Sequence, residues 1–263
     1  MKLLLLLLIT TTLLFSQIKS GKYDVSYGLL GDIGSTEASL IINDDDTYKI
    51  TVTSHASSAT KIISKNYTET LISEGKIVNS KYLPLIFKKT IERDDQIKKE
   101  TFIFNHETRS VILEELKLTK VLSNFDFDDN NTSEQTKNDD DYSWNISGNT
   151  TNLDIYAKED ILTLFFNITN YMDDLKIYNI NQVTVMGTNS KKEYTVDLII
   201  PQKEQYKQIQ KLLNTKENVL IFKLHSKVFF SESGELYVSL GKNRIAAKAI
   251  LKDVLLFGKI KGI

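Results

Sequence analysis

The chain has 263 residues, Lys+Arg 33 against Asp+Glu 34 for a net charge of -1, and no cysteine. The lack of cysteine excludes thiol catalysis, Cys-ligated metal and disulfide staples, so hydrophobic packing must carry stability, which a chain of this length can supply. The balanced charge excludes a surface that attracts polyanions over its whole area.

The first sixteen residues read as a secretory signal peptide. Lys2 is followed by the apolar run Leu3 to Ile9, then Thr10-Thr11-Thr12, then Leu13-Leu14-Phe15-Ser16. A basic start, a short apolar stretch and a small residue at its end make that signature. The run is too short to span a bilayer, which takes about 20 apolar residues. Cleavage is expected after Ser16, with Ser20 as the alternative site. Residues 17–263 are then expected to form one mostly-β domain of an exported protein. It would be periplasmic in a cell with two membranes and secreted from a cell with one, with no integral membrane span.

The first half reads as β. Tyr23, Val25, Tyr27 and Leu29 alternate with polar residues, as a half-buried strand requires. Ala38, Leu40 and Ile42 alternate up to Asn43-Asp44-Asp45-Asp46, and Tyr48, Ile50 and Val52 return, which predicts a hairpin. A short helix is expected near 58–64. Strands follow at 67–72 and 76–82, with Gly75 at their turn. A long hairpin spans 83–93 and 97–105 around Asp94-Asp95, and 110–118 is its next neighbour. Residues 125–142 then carry seven acidic residues and one lysine. Such a segment cannot bury enough apolar surface to order itself, so an acidic flexible loop is expected there. It is the only candidate boundary between halves.

Two helices are expected in the second half. Ile161, Leu164, Phe165, Ile168 and Met172 form one apolar stripe at helical spacing, with Asp160 as N-cap. The second helix spans about 202–213 after Pro201, with Tyr206, Ile209, Leu212 and Leu213 on one side. Strands are expected at 182–186, 194–200, 219–230, 235–240 and 246–257.

Four segments carry a family resemblance. They are Tyr23-Asp24-Val25-Ser26-Tyr27-Gly28-Leu29-Leu30-Gly31-Asp32-Ile33-Gly34; Ser73-Glu74-Gly75-Lys76-Ile77 with Leu83-Pro84; Lys158-Glu159-Asp160-Ile161-Leu162; and Gly234-Glu235-Leu236-Tyr237-Val238 through to Gly258-Lys259-Ile260. With these, residues 17–263 resemble a family of exported bacterial proteins known as domain of unknown function 3108. The chain departs from that family's pattern in lacking an Arg after the helix's apolar stretch and a Trp in the penultimate strands. The resemblance implies an antiparallel curved sheet or incomplete β-barrel, a half-barrel, with two or three short helices packed on it. It implies no established activity. In architecture it is similar to periplasmic carriers that hold lipid chains in a half-barrel, an analogy of fold alone.

No constellation of catalytic residues stands out. His55, His106 and His225 are far apart in sequence, and no spacing supports a zinc site or a triad. Asp126, Asp128 and Asn130 match the first positions of a calcium loop, but its twelfth position is Lys137, where a bidentate Glu belongs. The paired carboxylates Asp94-Asp95 and Asp44-Asp45-Asp46 sit at turns, solvated. Gly31 and Gly34 lie within β pattern, so a phosphate loop is not expected. Asn66, Asn130, Asn131, Asn145, Asn149 and Asn167 head N-x-S/T sequons. Asn130 and Asn131 are the candidates for N-glycosylation, because Asp128 and Asp129 stand two residues before them in an acidic loop.

These observations lead to the expectation of a mainly β, exported, non-catalytic binder of a hydrophobic or lipid-like ligand, without cofactor or metal. Ile161, Leu164, Phe165 and Ile168 would wall the ligand cavity. The alternative is an envelope assembly or interaction protein without a cavity, using sheet edges or the acidic loop. A hydrolase is third. Nucleic acid is not an expected partner, since the lysines are spread among acids.

Overall fold

A computed structural model describes residues 17–27, 31–56, 66–122, 142–172, 180–188, 195–224, 234–240, 246–251 and 258–262. The fold is mainly β, a curled half-barrel sheet with two helices among the described residues. The strands are β1 Gln17–Tyr27, β2 Gly31–Ile42, β3 Thr47–Ala56, β4 Thr68–Val78, β5 Lys81–Arg93, β6 Gln96–Asn105, β7 Ser110–Leu122, β8 Tyr142–Leu153, β9 Glu159–Asp160, β10 Ile180–Met186, β11 Thr195–Ile199, β12 Asn218–Leu224, β13 Glu235–Leu240, β14 Ala246–Leu251 and β15 Gly258–Gly262. The helices are α1 Ile161–Met172 and α2 Lys203–Leu212. No described helix is long and apolar enough to cross a membrane.

Two meanders share one ladder. From β1 the first runs outward, strand by strand, to β8 at one edge. The second starts at β9 on the other edge and returns through β10 to β15, which pairs with β1. All pairings are antiparallel except the two-residue β9 alongside β10. Neighbours in sequence are therefore neighbours in space, which tight turns make inexpensive. Residues 123–141 lie outside the described residues, but the strands flanking them, β7 and β8, are ladder partners, with Leu122 opposite Tyr142. The acidic segment thus joins two neighbouring strands. The passage between the meanders comes after β8 instead.

The turns follow from local chemistry. At the end of β2, the Asp45 carboxylate accepts from the Thr47 N–H (3.0 Å) and hydroxyl (2.6 Å). One expected turn is corrected. Gly75 does not separate two strands; β4 runs through it, and its partnering with β5 shifts by one residue at Glu74/Gly75. Gly75 is needed because a Cβ there would strike the Leu83 carbonyl. The turn comes at Asn79-Ser80, whose φ angles of 51° and 63° meet the demand of a two-residue hairpin for left-handed backbone at both positions.

Three clusters form the core. The first lies on the inner face of β2–β7 and includes Leu40, Tyr48, Ile50, Phe87, Phe102, Phe104, Val111 and Leu113. The second packs α1 on one face of β10–β13 through Leu164, Ile168, Val185, Val196, Leu198, Leu220 and Phe222. The third packs α2 on the other face, joining Ile209 and Leu213 to Val219, Ile221 and Tyr237. Leu212 was expected on that buried side but is 58% exposed. Ile209 and Leu213 define the contact line, and Leu212, about 100° before Leu213 on the helical wheel, falls outside it. The helix expected near 58–64 lies outside the described residues, as do residues 225–230 and 252–257 of two expected strands.

Candidate functional site

The junction at the head of α1 ties the two meanders together. Asp160 caps the helix: one carboxylate oxygen accepts from the N–H groups of Leu162 and Thr163, each at 2.8 Å. The other accepts from the Ser73 hydroxyl of β4 at 2.6 Å, and Ser73 also bonds the Tyr48 phenol at 3.1 Å. Two turns further, Asn167 clamps the Tyr82 peptide of β5. Its carbonyl accepts from the Tyr82 N–H and its amide donates to the Tyr82 carbonyl, both at 2.8 Å. The same amide donates to Glu159 at 2.9 Å. Buried polar groups at and just before the start of α1 thus hold the first meander, in addition to apolar contacts on both meanders.

Burial dominates the electrostatics. Desolvation pushes the Asp160 carboxyl up to about 7, against four hydrogen bonds that favour its charged form. The Tyr48 phenol is raised by burial first and by the Asp160 charge second. A carboxyl that titrates near neutrality is a familiar sign of catalysis. Here Asp160 and Ser73 are fully sealed, so no substrate reaches them, and their bonds are accounted for by capping and inter-strand anchoring.

Of the expected stripe, Leu164 and Ile168 have no exposed surface, so no water-sized space adjoins them. Ile161 and Phe165 are half-buried. Phe165 stacks on Phe222 of β12 with ring centres 4.6 Å apart. The opposite side of α1 is also apolar: Leu162 is buried and Phe166 leans on Tyr82, which in turn meets Tyr48 edge-on. The helix fills the trough between the meanders and has two packed faces. Sequence periodicity singled out one of them. The signal for the second was present, since six of the eight residues from Ile161 to Ile168 are apolar, an arc wider than one stripe.

The concave face changes character along its strands. Opposite residues in register share a face, so Ser73, Phe87, Phe102 and Leu113 form one row beneath α1. Two residues along each strand, Leu71, Lys89, Glu100 and Glu115 form the next. Lys89 is only 5% exposed and pairs with Glu69 at 3.2 Å. Past the sealed Ile50 and Phe87, the partly exposed apolar Val52 and Leu71 thus give way to a band of paired charges.

The remaining candidates are dispersed. His55 bonds the Thr68 hydroxyl at 3.1 Å across β3 and β4. His106 bonds the Tyr156 hydroxyl at 2.7 Å and the Pro84 carbonyl, tying the passage after β8 to β5. Asn66 donates to Asp94, and Asn167 is buried, so neither of those two sequons is a free chain segment. Asn130, Asn131, His225 and the calcium-like segment lie outside the described residues. Among the described residues no group of three His, Asp or Glu converges to hold a metal. Comparison with family models, with curated proteins and with solved structures finds no match to this chain.

Proposed function

We propose that this chain is an exported, non-catalytic protein of the bacterial envelope that binds a lipid-like ligand on its concave face. The chain of the ligand would lie on Val52 and Leu71 and against the half-buried Ile161 and Phe165 of α1. Its head group would meet the Glu69–Lys89–Glu100 band. The observation that supports the reading is the change from partly exposed apolar residues to paired charges along one concave face. Leu164 and Ile168 take no part in ligand contact in this reading; they hold α1 in place.

Titration with a fluorescent fatty acid tests the proposal. Saturable binding, displaced by unlabelled fatty acid and weakened at least about five-fold by Phe165→Ala, is expected, since about 1 kcal/mol of apolar contact corresponds to that factor. No saturable binding by the unmutated protein, or equal binding by the variant, would overturn it. A second reading, an assembly protein that works through a sheet edge, is favoured by one observation, the edge that β8 forms among the described residues.

A further inference from the structure

β8 ends the ladder, and among the described residues no strand lies on its far side. Along its twelve residues every second one turns its main-chain N–H and C=O away from β7. Natural edges are usually blunted by charge, proline or shortness. β8 has none of these: from Tyr142 to Leu153 it contains no charged residue and no proline. Its neighbour β7 carries Glu114, Glu115, Lys117 and Lys120. On the convex face Ile97, Leu118 and Ile146 stand in register across β6, β7 and β8, and the row stops at Ile146, which is 64% exposed. Trp144 beside it is 44% exposed. Two residues the other way, Gly148 leaves a hollow of about 570 Å³ lined by Lys99, Thr101, Glu114, Leu116 and Thr150.

We infer that β8 pairs antiparallel with β8 of a second copy of this chain, about a two-fold axis at Ile146. A two-fold axis normal to the sheet keeps each face on its own side, so one residue must oppose itself. Placing Ile146 on the axis has three consequences. The apolar row becomes continuous, Ile97–Leu118–Ile146 of one copy meeting the same three of the other. Trp144 of each copy comes opposite Gly148 of its partner, where the hollow receives a large ring and no side chain competes. An uncharged strand opposed to itself also brings no like charges together, a condition that β7 with its four charges would not meet. The inference does not depend on the ligand reading, because it uses the other face.

The test uses the full chain from Gln17, without detergent, in sedimentation and light scattering from 1 to 100 µM. The expected result is a concentration-dependent dimer. Ile146→Lys places two cations on the axis and is expected to be monomeric throughout the range, with the melting temperature that wild type has at concentrations where it too is monomeric, since the side chain is exposed in one copy. An equimolar mixture of Ile146→Lys and Ile146→Glu is expected to recover the dimer. Because the chain has no cysteine, register is read directly: under oxidation Ile146→Cys should form a disulfide-linked dimer. Thr150→Cys should not, its partner cysteine being eight residues away along the strand, about 27 Å at strand rise. Monomeric wild type at 100 µM, the result expected if a strand of another protein is the occupant, overturns the inference. So does a dimer that survives Ile146→Lys, or equal crosslinking at residue 150.

Discussion

Replacing Asp160 by Asn isolates the cost of a buried carboxylate. The carboxyl moves from an ordinary 3.8 to about 7 on folding, chiefly through desolvation. Its folded value lies above its unfolded value, so the folded state holds the proton more tightly. Stability from this group is complete below about pH 4 and is lost as pH rises through 7. Three units at about 1.36 kcal/mol each amount to about 4 kcal/mol, of which about 2–3 kcal/mol falls between pH 5 and pH 8. Asn keeps the cap, being as good an N-cap as Asp. Its amide would donate to the Ser73 oxygen, leaving that hydroxyl free to donate to Tyr48. Urea unfolding of both proteins at pH 5, 6, 7 and 8 measures the effect. The wild-type midpoint should fall by roughly 1 M relative to the variant across this range, given slopes of about 2–3 kcal/mol per molar. The variant should also be the more stable protein at pH 8. Parallel curves, or a variant less stable at pH 8, would show that Asp160 is charged at no net cost, and the burial argument would fail.

Other substitutions probe the packing. Gly187 has φ of 86°, and a Cβ there would overlap the Phe87 ring. Gly187→Ala should therefore cost about 2–4 kcal/mol in thermal unfolding, and an unchanged melting temperature would show that the ring has room to move. Asn167→Ala strips both Tyr82 peptide groups of their partner and should cost about 2–3 kcal/mol, with faster amide exchange at Tyr82; a loss under about 1 kcal/mol would mean that water substitutes. Leu212→Lys, by contrast, should change stability by less than about 0.5 kcal/mol, as an exposed position does, and a larger loss would place Leu212 in the core.

Several strands of the first meander, β3, β5, β6 and β7 among them, were legible because each has one wetter face and one drier face. The alternation around Leu40, Ile50 and Phe102 records that difference directly. β8 was not expected, and the reason is physical: nearly all of its residues are exposed on both faces, so no periodicity marks it. The start of α1 was readable from Asp160 followed by an apolar stripe. The bond from Ser73 to Asp160 was not, because it joins residues 87 apart in sequence that only the curl of the sheet brings together. The charged band on the concave face was hidden for the same reason. Glu69, Lys89 and Glu100 each look like ordinary strand residues until the register aligns them. Gly75 misled because a glycine that admits a close backbone approach looks, in sequence, like one that makes a turn.

The order of the ladder also shapes how the chain assembles. Almost every strand pairs with the one made just before it, so the first meander can zip up from β1 to β8 as synthesis proceeds. β9, which pairs with β10 and not with β8, breaks that order, and so in another way does β1. Its second edge waits for β15, where Tyr23 meets Gly262, and so remains open until nearly all of the chain has been made. During that interval the nascent protein presents at β1 an adhesive edge that the finished sheet no longer has. Closing β1 against β15 is the step with the largest loop to close, and it sets the time over which a neighbouring chain can intrude at the centre of the sheet.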